Sequence, residues 1–257
     1  MLVAGYFAWR YIKTASSEEK KMLVKGLKLT AALGISMIIF SGLTGSHEIS
    51  MLLQYQPLKY AAVELNPFPG ANLPEKLFGA LISGQVVGAI SIPGLQSLLA
   101  SLETQITTLP GLSQFPSSDW PPLVVHTTFD IMVIGGMLLG LFFLLYFVGW
   151  AFFKKRPYES QLVLFAQVAL SFLALLVFEL GWMTDELGRQ PWIVYNVMTV
   201  DAAANYTSTL LIPGILIIAF YVLIIPVTFY FFSRVFNSES IEKEEQREET
   251  ISRGVNY

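Results

Sequence analysis

Ile131–Phe153, IMVIGGMLLGLFFLLYFVGWAFF, runs for 23 residues without an Asp, Glu, Lys or Arg. A helix needs about 20 mostly apolar residues to cross roughly 30 Å of hydrocarbon. This stretch therefore reads as a transmembrane helix, and the chain as a membrane protein. Outward from it, three more stretches share the property: Leu29–Ser46 with 18 residues, Ser160–Phe178 with 19, and Ala202–Ser233 with 32. The third continues its apolar pattern past Glu179 to Trp182, and the fourth holds Pro213 and Pro226, where kinks are expected. The composition agrees. Of 257 residues 54% are hydrophobic and 14% charged, against about 25% charged in soluble domains. A net charge of -3 offers nothing to nucleic acid. The absence of cysteine excludes disulfides, thiolate catalysis and Cys-type metal sites. Two histidines, His47 and His126, are too few for a multi-His metal site without ligands from another chain.

The N-terminus differs. Met1–Trp9 is apolar but ends at Arg10 and Lys13, and nine residues rise only about 14 Å. With no basic leader and no small-residue cleavage site, it fits a signal peptide poorly and reads as the last half of a membrane helix. Basic residues assign the sides. Lys13, Lys20, Lys21, Lys25 and Lys28, then Lys154, Lys155 and Arg156, then Arg234, Lys243, Arg247 and Arg253, should all be cytoplasmic. The intervening segments, about 47–121 and 186–203, should lie outside. The expected fold is all-α: a polytopic helix bundle with four full spans, a partial N-terminal helix and a long extracytoplasmic loop. Its segments are 1–46 (partial helix and first span), 47–121 (outer loop), 122–235 (three spans) and 236–257 (a solvated, disordered cytoplasmic tail). Within the loop, 77–110 reads as a short interfacial helix pair broken by Pro93.

Ionisable residues inside a span are costly and point to function. In the third span Glu179, Trp182, Glu186 and Arg189 fall within a helical stripe about 80° wide, followed by the outer end with Asp185. The bland alternative is a Glu186–Arg189 ion pair with an interfacial Trp; it leaves the deeper Glu179 unexplained. At the entry of the second span, His126 and Asp130 are i,i+4 and suited to hydrogen-bond. Met132 lies on another face, about 120° from His126, where a lone Met is most often packing. Outside the membrane, Lys59 and Glu64 are five apart. They either converge on one small molecule from a loop-to-helix turn or form a solvated surface pair.

These residues resemble a known family. Glu179-Leu-Gly181-Trp182-Met-Thr-Asp-Glu186-Leu-Gly188-Arg189-Gln190-Pro191-Trp192 is similar to the E-x-G-W-x-x-x-E-x-G-R-Q-P-W signature of cytochrome bd-type quinol oxidase subunit I. Gln56-Pro57-Leu-Lys59-Tyr-Ala61-Ala62-Val-Glu64 resembles its quinol-loop motif, and Phe129-Asp-Ile-Met132-Val the helix start that supplies a methionine to a low-spin haem b. The resemblance covers about 1–235 and only the carboxy-terminal half of that subunit. It departs at Asp130, where members often carry Arg; an acid there tends to lower the haem potential, offset in part by a protonated His126.

The resemblance implies oxidation of a membrane quinol with reduction of dioxygen to water and generation of a proton gradient, in a prokaryotic cell membrane with the C-terminus cytoplasmic. Its implied cofactors are low-spin and high-spin haem b, with haem d or haem b at the oxygen site. Lys59 would donate a hydrogen bond to quinol and Glu64 accept its proton. Met132 would ligate the low-spin haem, with His126 nearby in the cofactor environment. Trp182 would lie between haems. Glu186 would be a ligand or compensating charge at the high-spin haem, and Glu179 would belong to that pocket or to a proton path. Arg189 would pair with a haem propionate. The implied partners are an N-terminal half of subunit I and a subunit II-like membrane protein. The competing functions are a haem-free membrane scaffold and a quinone-binding anchor or transporter.

Overall fold

The computed structural model describes residues 1–151 and 157–235, without the side chains of Ser208, Arg234 and Val235. The expected cytoplasmic residues Lys154, Lys155 and Arg156 and the tail 236–257 lie outside the described residues. The chain forms two compact units, Met1–Ala203 and Ala204–Tyr257.

In the first unit, α1 (Leu2–Lys13) is followed by α2 (Ser17–Tyr55). Ser16 caps α2 by accepting the Glu19 N–H at 3.3 Å, and Glu19 in turn pairs with Arg10 and Thr14. At 39 residues α2 is about 58 Å long at ~1.5 Å per residue. Its charge-free centre matches the expected span, and its ends, bearing the charged residues of 18–28 on one side and His47 and Glu48 on the other, extend beyond it. It crosses the expected 46/47 boundary without a break.

The outer loop begins with α3 (Pro57–Val63), where Pro57 occupies the first helical turn, a position that needs no N–H. Strands β1 (Glu75–Leu77), β2 (Ala80–Ile82), β3 (Gln85–Val87) and β4 (Ile90–Ile92) follow, then α4 (Leu95–Glu103). β1 pairs with β4 and β2 with β3, both antiparallel, so 75–92 is one nested hairpin. This corrects the expected helix pair over 77–110; only α4 is helical there. The tip turn, Ser83-Gly84, has positive φ at both residues (51° and 80°), the geometry of a two-residue hairpin turn. Farther on, 66–70 and 109–113 zip together, with Leu112 N–H to the Asn66 carbonyl at 2.8 Å.

α5 (Val124–Ala151) and α6 (Gln161–Gly188) complete the membrane part of the unit. The main neighbours form a ring: α1 on α6, α6 on α5, α5 on α2, α2 on α1. The partial helix α1 thus fills the fourth corner of a bundle. Lipid supplies no hydrophobic drive between helices, so close approach at small residues matters. A Cβ on Gly5 would come within 2.5 Å of Ser171 Cβ, and one on Gly34 within 2.8 Å of the Phe143 ring. At one end of the bundle, Lys28 lies over the rings of Trp150 and Tyr158 at 5.7 and 5.4 Å, a cation–aromatic belt on the side assigned as cytoplasmic. After α6, β5 (Trp192–Val194) pairs with β6 (Met198–Thr199), and α7 (Val200–Ala203) ends the unit.

In the second unit, α8 (Leu211–Val235) carries Pro226 in its interior. The helix starts at Leu211, so Pro213 falls in the first turn, where proline is tolerated and no kink is required. Among the described residues four helices, α2, α5, α6 and α8, are long and apolar enough to cross a membrane.

Substituting Gly5→Leu should force α1 from α6 and destabilise the fold by about 1–3 kcal/mol, the range for overpacking a tight interface. Thermal unfolding of the detergent-solubilised protein would show it as a lower Tm.

Candidate functional site

Two faces of α6 carry different chemistry. Gly181, Thr184 and Gly188 lie on the inner face. The Thr184 hydroxyl meets that of Thr128 at 2.9 Å, and a Cβ on Gly181 would come within 2.9 Å of Met132 Sδ. Glu179, Trp182, Glu186 and Arg189 lie on the opposite face and point away from the chain's own bundle, with Trp182 61% exposed. The stripe expected from the sequence is therefore present and faces outward. Arg189 Nε lies 3.7 Å from Glu186, but Arg189 Nη2 is closer to Asp185, at 3.1 Å.

Lys59 reaches this end of α6 from α3. Its Nζ donates to Asp185 Oδ1 at 2.9 Å, and its stem lies on Gly188, where a Cβ would come within 2.7 Å of Lys59 Cε. Only 12% of the Lys59 side chain is exposed, so it is not a solvated surface lysine. A cavity of about 260 Å³ opens here, walled by Gln56, Lys59, Asp185, Arg189, Trp192 and Tyr195. The Trp192 indole N–H is buried without a partner among the described residues.

Glu64 does not join Lys59. Five residues turn a helix by about 140°, and Glu64 points to the other side of α3, 7% exposed, accepting from Gln96 Nε2 at 3.2 Å. Beside it, the buried Lys76 ammonium donates to Asn66 Oδ1 at 2.5 Å and to the Glu64 carbonyl at 3.3 Å. Burial first, then the charge of Glu75, pushes the Glu64 carboxyl from 4.5 up to about 8, and Lys76 opposes this only in part. Burial likewise raises Glu75 and lowers Lys76. The expected convergence of Lys59 and Glu64 on one molecule is thus replaced by two separate environments.

His126 is 1% exposed and fully committed to the protein. Nδ1 lies 2.7 Å from the Val63 carbonyl, and Nε2 lies 3.0 Å from the Phe78 carbonyl and 3.3 Å from Asp130 Oδ2. Asp130 accepts the Phe78 N–H. The expected His126–Asp130 pair is present, and both ring nitrogens are engaged by the protein. Asp130 is engaged by the hairpin in the same way.

The sequence reading assigned no role to Asp185, Gln96, Glu75 or Lys76. For Asp185 a signal existed in its i,i+4 spacing to Arg189; the others are joined only by the folded loop.

Residues 1–240 match the family described as cytochrome bd terminal oxidase subunit I. The chain is 31% identical over 222 residues to a protein of Bacillus subtilis (strain 168) named putative cytochrome bd menaquinol oxidase subunit I, covering 85% of this chain and 49% of that one. It is 26% identical over 221 residues to the cytochrome bd ubiquinol oxidase subunit 1 of the same organism, covering 80% and 46%. The structure of bd oxidase from Geobacillus thermodenitrificans matches with a TM-score of 0.78 at 28% identity, over 91% of this chain and 54% of that chain. The chain spans about half the length of the curated relatives it matches.

A carboxyl whose pKa rises on folding stabilises the fold below its unfolded value and loses that contribution as pH rises through its folded value. For Glu64 the window runs from about 4.5 to about 8. The outer loop should therefore become more protease-sensitive across that range, and Glu64→Gln should flatten the Glu64 part of the dependence. Limited proteolysis against pH, read at 75–92, measures this. Separately, His126→Ala should open the same segment by removing three contacts, at roughly 1–3 kcal/mol for each buried group left unpaired.

Proposed function

Because the chain belongs to the cytochrome bd terminal oxidase subunit I family, we propose that it works as part of a membrane quinol oxidase that reduces dioxygen to water. The observation that carries this reading is the meeting of two motifs 126 residues apart. Lys59 of the Gln56–Glu64 segment is seated on Gly188 and ion-paired to Asp185 of the Glu179–Trp192 segment. The first segment resembles a quinol-loop motif and the second a haem-pocket motif, so a donor site beside an electron acceptor is what their contact would provide.

In this reading Lys59 presents its ammonium to a quinol oxygen in the 260 Å³ cavity. An ammonium has three donors; one serves Asp185, and the others are free to hold a substrate oxygen. Glu64 stands behind α3 rather than in contact with the ring, where its carboxylate would accept a proton released by quinol oxidation, and burial, which favours its neutral form, strengthens it as an acceptor.

The residues fit haem in part. Met132 would offer a soft sulfur ligand, its thioether lying beside the Cβ-free Gly181. Trp182, Glu186 and Arg189 stand on the open face of α6, with Arg189 suited to a propionate and Glu186 to a ligand or compensating charge. Glu179 on the same face would serve that pocket or a proton path. Bound haems, low-spin and high-spin b with d or b at the oxygen site, would supply the one-electron chemistry that links a two-electron donor to dioxygen. The remaining haem ligands would come from a polypeptide equivalent to the amino-terminal half of subunit I, and a subunit II-like protein would complete the complex. The basic N-terminal end of α2, the Lys154, Lys155 and Arg156 stretch and the tail would face the cytoplasm.

Reduced-minus-oxidised spectra and a pyridine haemochrome assay on the purified complex test the proposal. Haem is expected, and Met132→Leu should remove the low-spin signal. A complex with its partners present and no haem would leave the haem-free scaffold standing instead. Lys59→Ala should lower quinol oxidation about ten- to hundredfold, the scale of one lost hydrogen bond to a charged group, with haem content unchanged.

A further inference from the structure

A lysine carries four rotatable side-chain bonds, and one left free would scatter its ammonium over many positions. Lys59 is not free. Its stem rests on Gly188, where no Cβ intervenes, and its Nζ is held at 2.9 Å by Asp185 Oδ1. The second oxygen of Asp185 is held in turn by Arg189 Nη2 at 3.1 Å. Asp185 thus uses one oxygen for a cation from α3 and the other for a cation from its own helix. Lys59, Asp185 and Arg189 all wall the same cavity.

We infer that Asp185 is a positioning residue for quinol oxidation, fixing the Lys59 ammonium at the wall of the cavity between α3 and the outer end of α6, where an oxygen of a p-quinol headgroup meets it. This rests on the proposed quinol oxidation and adds to it a residue and a place. Two physical points support the assignment. A pre-ordered donor loses little conformational freedom when a ligand arrives, which favours affinity. The carboxylate also offsets the lysine's charge, so a neutral headgroup need not enter beside an uncompensated cation. The cavity, at about 260 Å³, lies just below the usual ~300–1,000 Å³ range of ligand pockets. It suits a single ring, with the apolar tail left in the bilayer. Glu64 faces away behind α3, so the ring meets Lys59 without touching it.

The test is steady-state kinetics of the full oxidase complex with duroquinol, a tail-less p-quinol. Asp185→Asn should raise KM roughly tenfold, the scale of a weakened charge-assisted contact, with kcat and the haem spectra little changed. Asp185→Glu should recover most of the loss. Gly188→Ala, which displaces the Lys59 stem without touching the carboxylate, should raise KM in the same way. The double variant Lys59→Ala, Asp185→Asn should be no worse than Lys59→Ala alone, because both act through one ammonium. An unchanged KM in Asp185→Asn beside a raised KM in Lys59→Ala would overturn the positioning role, as would additive losses in the double variant. Quinol oxidation untouched by Lys59→Ala would instead overturn the quinol-site reading beneath it.

Discussion

A buried imidazole sits where the outer loop meets the membrane helices. His126 stands in the first turns of α5 and reaches two segments, the end of α3 and the hairpin 75–92, which Lys76 also ties together through the Glu64 carbonyl. With Asp130 one turn further on, it takes both polar groups of the Phe78 peptide, carbonyl to His126 and N–H to Asp130. Phe78 has φ of 60°, an uncommon conformation for an aromatic residue. It persists because both sides of its peptide are held. A buried polar group without partners is expensive, so burying the imidazole against the Val63 and Phe78 carbonyls and Asp130 couples its placement to that of the loop. Once α3 is fixed against α5, Lys59 faces the end of α6, and the Glu64 carboxyl is turned inward to Gln96.

The division of α6 into two faces follows from the same geometry. Small residues on one side let Met132 and Lys59 approach its backbone, one at Gly181 and the other at Gly188. The residues between them by sequence but opposite by rotation carry the charge and the indole. A single helix therefore separates contacts made within the chain from groups left available to something outside it.

Much of the membrane architecture was legible because hydrocarbon imposes a simple rule: about 20 apolar residues in succession, with charges kept to the ends. The stripe on α6 was legible for a similar reason, since helical rotation is regular. The hairpin at 75–92 was not. Its strands are three residues each, too short for an alternating pattern to stand out against the surrounding Gly and Leu. The His126–Asp130 pair could be read from its spacing, but its partners Val63 and Phe78 could not, because both offer only backbone groups that every residue carries. The Lys59–Asp185 pair spans 126 positions and shows no local trace. For Lys59 and Glu64, proximity in sequence was misleading: a helical turn between two residues sets them apart as readily as it brings them together.

The outward face of α6 also bears on how such a protein is made. Glu179 and Arg189 lie on a helix that otherwise fits lipid, at and beyond the end of its charge-free stretch Ser160–Phe178, and a charged side chain facing lipid there is penalised, though by less than the ~2.5–3.5 kcal/mol of the bilayer centre. Glu179, a turn or more deeper than the rest, carries most of that cost. While the face is uncovered, α6 is held less firmly in the bilayer than its apolar length suggests, and the penalty falls only when another surface or a bound group covers the stripe. The stripe thus makes secure insertion conditional on assembly.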